Sequence, residues 1–139
     1  MTDDFRIAII INPEMPAGWI ANTVGAVGIG LGASTPDLAA DRLTDGQGRS
    51  IEISSNRPVP VLQADSQAIG KLLLKALETK PEGSAIVPFP AFARTLHAYA
   101  DYRETFPERD LSAEEIDGLG ITGPAKWVKS LTGALKLLR

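Results

Sequence analysis

His97 is the only histidine in the chain, and Asp101 stands four residues beyond it. On a helix that spacing puts the two side chains one turn apart. A carboxylate so placed can orient an imidazole as a general base, although the pair reads equally well as an ordinary surface contact. A second cluster, Glu114, Glu115 and Asp117, offers carboxylates for acid–base work. It follows Ser112, however, and Ser112-Ala113-Glu114-Glu115 has the form of a helix capping box. Gly28, Gly30 and Gly32 alternate as in a dinucleotide-binding turn. Such a turn works between a strand and a helix, where amides face a pyrophosphate. Here the glycines fall at the far end of a candidate helix, and Gly32 reads as its stop. No phosphate loop, His-Glu-x-x-His pair or Gly-x-Ser-x-Gly elbow occurs. With no cysteine and one histidine, neither a thiol nucleophile nor a Cys/His metal centre can be assembled. No metal and no cofactor are expected.

The segment 12–22 is the better candidate site. In open α/β sheets ligands gather outside the carboxyl ends of strands. The loop Asn12-Pro13-Glu14-Met15-Pro16 leaves the apolar run Ile7–Ile11 and enters a helix N-terminus, where free amides attract anions. Trp19 offers a stacking face there, and Asn22 and Thr23 offer hydrogen bonds. The plainer alternative puts Trp19 in the core and uses Asn22 to satisfy a neighbouring loop.

These residues need elements to position them. Ile7–Ile11 is a β-branched run, read as a strand covered on both faces. A helix is expected from Ala17 to about Leu31, with Gly25, Gly28 and Gly30 marking close packing against a sheet or helix. Asp45-Gly46-Gln47-Gly48 signals a hairpin between 42–44 and 50–53. Pro58–Leu62 reads as a strand. Asp65 or Ser66 then caps a helix striped by Ile69, Leu72, Leu73, Ala76 and Leu77. Ser84–Val87 is a further strand, closed by Pro88-Phe89-Pro90. Phe92, Leu96, Tyr99 and Phe106 recur at helical spacing up to Pro107. Ile116–Thr122 is a Gly-rich strand, and Pro124 opens the last helix.

The chain of 139 residues, 44% hydrophobic and 22% charged, suits one globular domain over residues 1–139. Its start, Met1-Thr2-Asp3-Asp4, lacks the basic region of a signal peptide. The stretch 17–33 is too short and too glycine-broken to span a membrane. A cytoplasmic protein without a membrane partner is expected. The net charge of −3 argues against a broad nucleic-acid surface. Only Lys126, Lys129, Lys136 and Arg139, with no acid among them after Gly120, form a small basic patch.

Asn12–Gly18 with Ala21-Asn22, Pro58–Leu62, Phe89-Pro90 and Gly123–Leu138 together resemble the signatures of a bacterial family known as domain of unknown function 2000. The order Gly-Pro, amphipathic turns, Thr132-Gly133 and Leu-Lys-Leu-Leu also resembles the C-terminus of the type II peptidyl-tRNA hydrolases. That resemblance implies their fold: an α/β three-layer sandwich with a mixed, mainly parallel four-stranded sheet and helices on both faces. It also implies a homodimer, with the apolar tail Leu135–Leu138 in need of cover. Those enzymes place a catalytic lysine at the start of the first helix. Here the position falls on Gly18 or Trp19, and their Asp-Ala-Gly-Arg-Thr segment is matched by Ala91–Thr95 without its aspartate. Their activity is therefore not carried over, and no catalytic residue is assigned. The expectation is a pocket between the 12–22 loop, the 88–94 segment and the final helix. Its ligand-binding candidates are Asn12, Glu14, Trp19, Asn22, Thr23, Phe89, Thr95, Lys126 and Thr132. It would bind a small anionic ligand, with hydrolysis as an extension. The alternatives are a non-catalytic protein-interaction module and a tRNA-linked esterase with a rebuilt site.

Overall fold

A computed structural model describes residues 3–139, so Met1 and Thr2 of the acidic start lie outside the described residues. The first strand, β1 (Phe5–Ile11), is buried at every position but Arg6. It leads through the proline loop into α1 (Ala17–Ser34), which runs past Gly32 to a C-cap at Thr35. The hairpin β2 (Arg42–Thr44) and β3 (Ser50–Glu52) forms as expected, with Gly48 at a φ of 84° in its turn. There the amides of Arg49 and Gln47 donate to Asp45 Oδ1 and hold its carboxyl below the usual range.

The strand β4 (Val61–Gln63) is shorter than the proline-rich run around it. In α2 (Ser66–Thr79) the cap is Asp65, whose carboxylate accepts from the Ala68 amide at 2.8 Å. Its stripe buries Ile69, Leu73 and Ala76 and leaves Leu77 exposed. The strand β5 (Ala85–Pro90) runs on through both prolines.

The continuous helix expected over 92–106 does not form. A 3-10 turn at Ala91–Thr95 is followed by an extended Leu96 and the short α3 (Tyr99–Thr105). The capping box at Ser112 is also absent. Asp110 instead caps a single 3-10 turn at Leu111–Ala113, accepting from the Ser112 amide and hydroxyl. The chain then enters β6 (Ile116–Pro124), α4 (Ala125–Thr132) and β7 (Lys136–Leu137).

The main sheet has five strands in the order β5-β6-β1-β4-β7. This corrects the expectation of four mainly parallel strands. Only β1 and β4 are parallel neighbours, and the other three pairings are antiparallel. The broken segment after β5 is the reason. A continuous helix could have carried the chain back along the sheet, as a parallel crossover requires. The segment 91–115 instead stays at one end, with the Ala91 amide bonded to the Glu115 carbonyl at 2.8 Å. So β6 starts where β5 stops and runs the other way. The fifth strand is the tail: Leu137 pairs with Leu62, and the Leu138 amide donates to Val61.

Helices cover both faces. On one, α2 and α4 bury Leu73, Trp127 and Leu131 against Ile10, Leu119 and Ile121. On the other, Val27 and Leu31 of α1 lie against Ile7, Ile9 and Ile11. Most of the glycines that allow close approach belong to the strand rather than the helix. A Cβ on Gly118 would fall 2.5 Å from Thr23 Cγ2, and one on Gly120 would fall 2.3 Å from Val27 Cγ1. Gly25 and Gly28 of α1, by contrast, have nothing within 4 Å of a built Cβ, and only Gly30 presses on the sheet, at Val87.

Overpacking a dense interface costs about 1–3 kcal/mol, so Gly120→Ala is expected to destabilise the fold by that amount. Gly28→Ala, in open space on a helix, should stabilise it by up to about 1 kcal/mol. Urea unfolding of the two variants should therefore move their midpoints in opposite directions.

Candidate functional site

The antiparallel β5–β6 register breaks once. Phe89 pairs with Gly118, but the next residue, Pro90, pairs with Ile116, which leaves Asp117 as an extra residue in β6. A bulge of this kind re-aims a side chain and recurs beside functional sites. The bulge keeps Ile116 in the same core cluster as Leu119 and Ile121. It sends the Asp117 carboxylate to the end of the sheet, where β1 runs out into the proline loop. Asn12 meets it there twice: the Asn12 amide donates to the Asp117 carbonyl at 3.0 Å, and Asn12 Nδ2 donates to Asp117 Oδ1 at 3.3 Å.

The partner of Asp117 is Arg94. Nη2 of Arg94 lies 3.5 Å from Asp117 Oδ2, and the two side chains are only 14% and 12% exposed. The same nitrogen donates to Thr23 Oγ1 at 2.9 Å and to the Met15 sulfur at 3.3 Å. The guanidinium also stacks on two rings, with Cζ at 4.8 Å from the Trp19 centroid and 4.7 Å from that of Phe89. Contacts of this kind attract a cation to the ring face. Thr23 is fully buried and donates its own proton to the Trp19 carbonyl at 2.7 Å, so its oxygen is turned to accept from Arg94.

The guanidinium is thus fixed in place while much of its hydrogen-bonding capacity is unspent. Nε is buried with no partner, and among the described residues no acceptor is bonded to Nη1. An arginine fork normally engages a carboxylate or phosphate through two parallel bonds. Asp117 makes a single contact instead.

Asn12, Trp19, Thr23 and Phe89 meet in this corner. Glu14 takes part through its backbone, which donates to Asn12 Oδ1 at 3.1 Å and shapes the loop, while its side chain is exposed. Asn22 is exposed on α1, one position round the helix from Thr23. Thr95 is exposed and its hydroxyl is turned back to the Phe92 carbonyl.

Lys126 and Thr132 are not brought to the corner. Register places Ile11 opposite Gly118 but Phe5 opposite Pro124, so Lys126 begins α4 at the opposite end of the sheet. Thr132 is buried on the far face and donates to the Val128 carbonyl. The final helix therefore does not wall this site. Its own packing decides that, since Trp127, Val128 and Leu131 point into the other core.

Two residues of the corner, Arg94 and Asp117, are absent from the candidates drawn from sequence. Asp117 sits inside the acid cluster that reads as a cap, and Arg94 in a segment matched only by resemblance. They are 23 residues apart, and only the bulge joins them. His97, for its part, precedes α3 and lies in an apolar groove of about 670 Å³ between α1, β5 and the 93–106 segment. Tyr102 lines the same groove, and burial raises its phenol above the ordinary value. Among the described residues no group of three or more metal-ligating side chains is found, and no helix is long and apolar enough to cross a membrane.

The chain belongs to the family described as Protein of unknown function (DUF2000), whose model matches residues 5–139. No curated protein matches the chain. Among solved structures it is similar to a protein of unknown function from Agrobacterium tumefaciens strain C58. The identity is 21%, over 96% of this chain and 97% of the other, with a TM-score of 0.86. At that identity the likeness establishes the fold alone.

Removing one partner of a buried ion pair costs more than removing both. Arg94→Met is expected to lose about 3 kcal/mol, because Asp117 is left buried without its cation. Adding Asp117→Asn should recover most of that loss. A double-mutant cycle measured by urea unfolding decides it.

Proposed function

We propose that this protein binds a small anionic ligand at the corner formed by Asn12, Trp19, Phe89, Arg94 and Asp117. The observation that carries the reading is the state of Arg94: stacked on two rings, anchored by Thr23, and holding donors that the chain does not use. A planar cation preorganised in this way suits a carboxylate or phosphate group. Two further features support the same ligand class. The corner lies past the carboxyl end of β1, where α/β sheets gather ligands. Trp19, half exposed, also leaves part of its ring open for stacking. Where the ligand is an ester, Asp117 is the carboxylate placed to take a proton from water.

We also infer a type II peptidyl-tRNA-hydrolase-like arrangement, supported by the parallel β1–β4 pair, the mixed sheet and the helices on both faces. A cytoplasmic protein of bacterial origin fits that reading. The tRNA-linked esterase is the weaker version, because Gly18 and Trp19 bring no ammonium and the cation of the corner is Arg94.

A second reading, the protein-interaction module, is favoured by the apolar groove, whose rim residues Ile29 and Tyr99 are 76% and 74% exposed. Within it we place pairing with a second copy of the chain. The backbone of the tail Leu135–Leu138 is tied to β4, while the Leu137 side chain stays exposed.

Titration of Trp19 fluorescence with a panel of phosphate monoesters and carboxylates tests the first reading. Trp127 is buried, with its indole nitrogen bonded to Thr79, and should give a constant background. Saturable quenching is expected, weakened at least about tenfold in Arg94→Lys, or about 1.4 kcal/mol. A flat response to every anion, in a sample with native circular dichroism, would reject the reading. Turnover of an N-acyl-aminoacyl-tRNA that disappears in Arg94→Lys would instead establish the esterase.

A further inference from the structure

We propose that the outer face of α1 and the groove beside it form the surface through which two copies of this chain pair. The inference rests on the pairing put forward above and names its face.

Over its 18 residues α1 carries no charged side chain. Gly18, Asn22, Gly25 and Ile29, at helical spacing along its outer side, are all exposed. The other helices of the same protein are written differently. The outer side of α2 carries Lys71, Lys75 and Glu78, and that of α4 carries Lys126 and Lys129. A helix without charge on any side suits an interior, yet α1 has sheet on one side only.

The uncharged surface does not end at the helix. Ala26, Ile29 and Gly30 also form one wall of the 670 Å³ groove, and Leu96, Tyr99 and Tyr102 lie across from them. At 1.5 Å per residue α1 is about 27 Å long. A strip one helix and one groove wide then covers roughly 600 Å², against about 800 Å² per partner in a standard stable interface.

Three features select a second copy as the occupant. The helix half of the face carries no charge and the groove half has only His97 in its lining and Arg103 beside the Tyr99 ring, so the face presents little sign for a different partner to complement and little repulsion against itself. A single patch that meets its own copy needs only a twofold axis, and glycines on the centre line let two helices approach closely. Asn22 is the one polar side chain there. Among the described residues its side-chain amide has no bond, and two such amides facing across a twofold axis satisfy each other, as a lone asparagine does in a paired-helix seam. Pairing by sheet edges is the competing route, and it is poorly served. At one edge, Pro88 and Pro90 of β5 offer no N–H. At the other, β7 is two residues long.

Pairing through this face would cover Trp19, which is 51% exposed at its rim. Sedimentation equilibrium between about 1 and 200 µM, an interval chosen to bracket a micromolar interface, tests the proposal on the full chain. The wild type should be a dimer, with Trp19 emission shifting to the blue as concentration rises. Gly25→Arg and Ile29→Arg should each be monomeric, with unchanged circular dichroism. Neither should disturb the monomer, since a Cβ on Gly25 meets nothing within 4 Å and Ile29 is 76% exposed. A dimer that persists in both variants overturns the face while leaving the pairing intact. A wild type that stays monomeric throughout overturns both. Co-sedimentation of monomer with phosphatidylglycerol vesicles, lost in Ile29→Arg, would assign the face to a lipid surface and overturn the proposal.

Discussion

The close approach of α1 to β6 governs the placement of the other parts. Gly118 and Gly120 leave the strand without side chains under the helix, so Thr23, Val27 and Leu31 sink into the space and become buried. A helix lowered onto a strand in this way loses much of its freedom to slide or roll, because each knob occupies one gap in a close-packed interior. Thr23 is then fixed at the point where Arg94 arrives, and the Trp19 ring is fixed one turn earlier on the same side. The orientation of the guanidinium therefore begins with two missing Cβ atoms on the same strand that supplies Asp117.

The second constraint is the bulge at Asp117. A regular β5–β6 ladder would alternate through residue 117 and turn its carboxylate to the face of Leu119 and Ile121, away from Arg94. The inserted residue lets the core keep Ile116 and still delivers an acid to Asn12 and Arg94. Such a buried pair is weak evidence of stabilisation, since desolvating two charges offsets most of their attraction. Its contacts are also uneven. One nitrogen carries every bond that Arg94 makes, while a buried Nε goes without, and an unmatched buried donor costs about 1–3 kcal/mol. A site evolved only to hold the fold together would be better served by an apolar residue at both positions.

Local signals carried much of the architecture. The run Ile7–Ile11, the Asp-Gly-Gln-Gly turn, the Asp65 cap and the Pro124 helix start each declare themselves within a few residues, and each stands where the sequence put it. Non-local facts were not legible. The strand β7 needs only two paired residues, which no periodicity can reveal. The helix expected over 92–106 followed a true aromatic spacing, but Phe92, Tyr102 and Phe106 meet edge to face around a break rather than along one helix. Of the α1 glycines read as packing devices, Gly30 is one, at Val87, but Gly25 and Gly28 are not, because β6 supplies the other gaps and its place could not be known. The same limit separated Arg94 from Asp117. Neither residue advertises the other, and the register shift that joins them has no signature in composition. Lys126 and Thr132 entered through resemblance alone, and the antiparallel run of β6 carries the start of their helix to the other end of the sheet.

The character of the cation bounds what the corner can do. An ammonium on a flexible stem is strongly hydrated and shifts its proton readily when buried, so it can serve as a base as well as a charge. A guanidinium stays protonated, is planar, and loses little by stacking on rings. Arg94, pinned against Trp19 and Phe89, is a fixed positive charge and a donor of oriented N–H groups. It can hold an anion or steady negative charge that develops on one, but it cannot take up a proton. On the proposed reading the proton would fall to Asp117, whose two oxygens accept from Asn12 and face Arg94. On that same reading, an anion would meet the donors that Arg94 leaves unused and would lie beside the Asp117 carboxylate, which faces a different nitrogen.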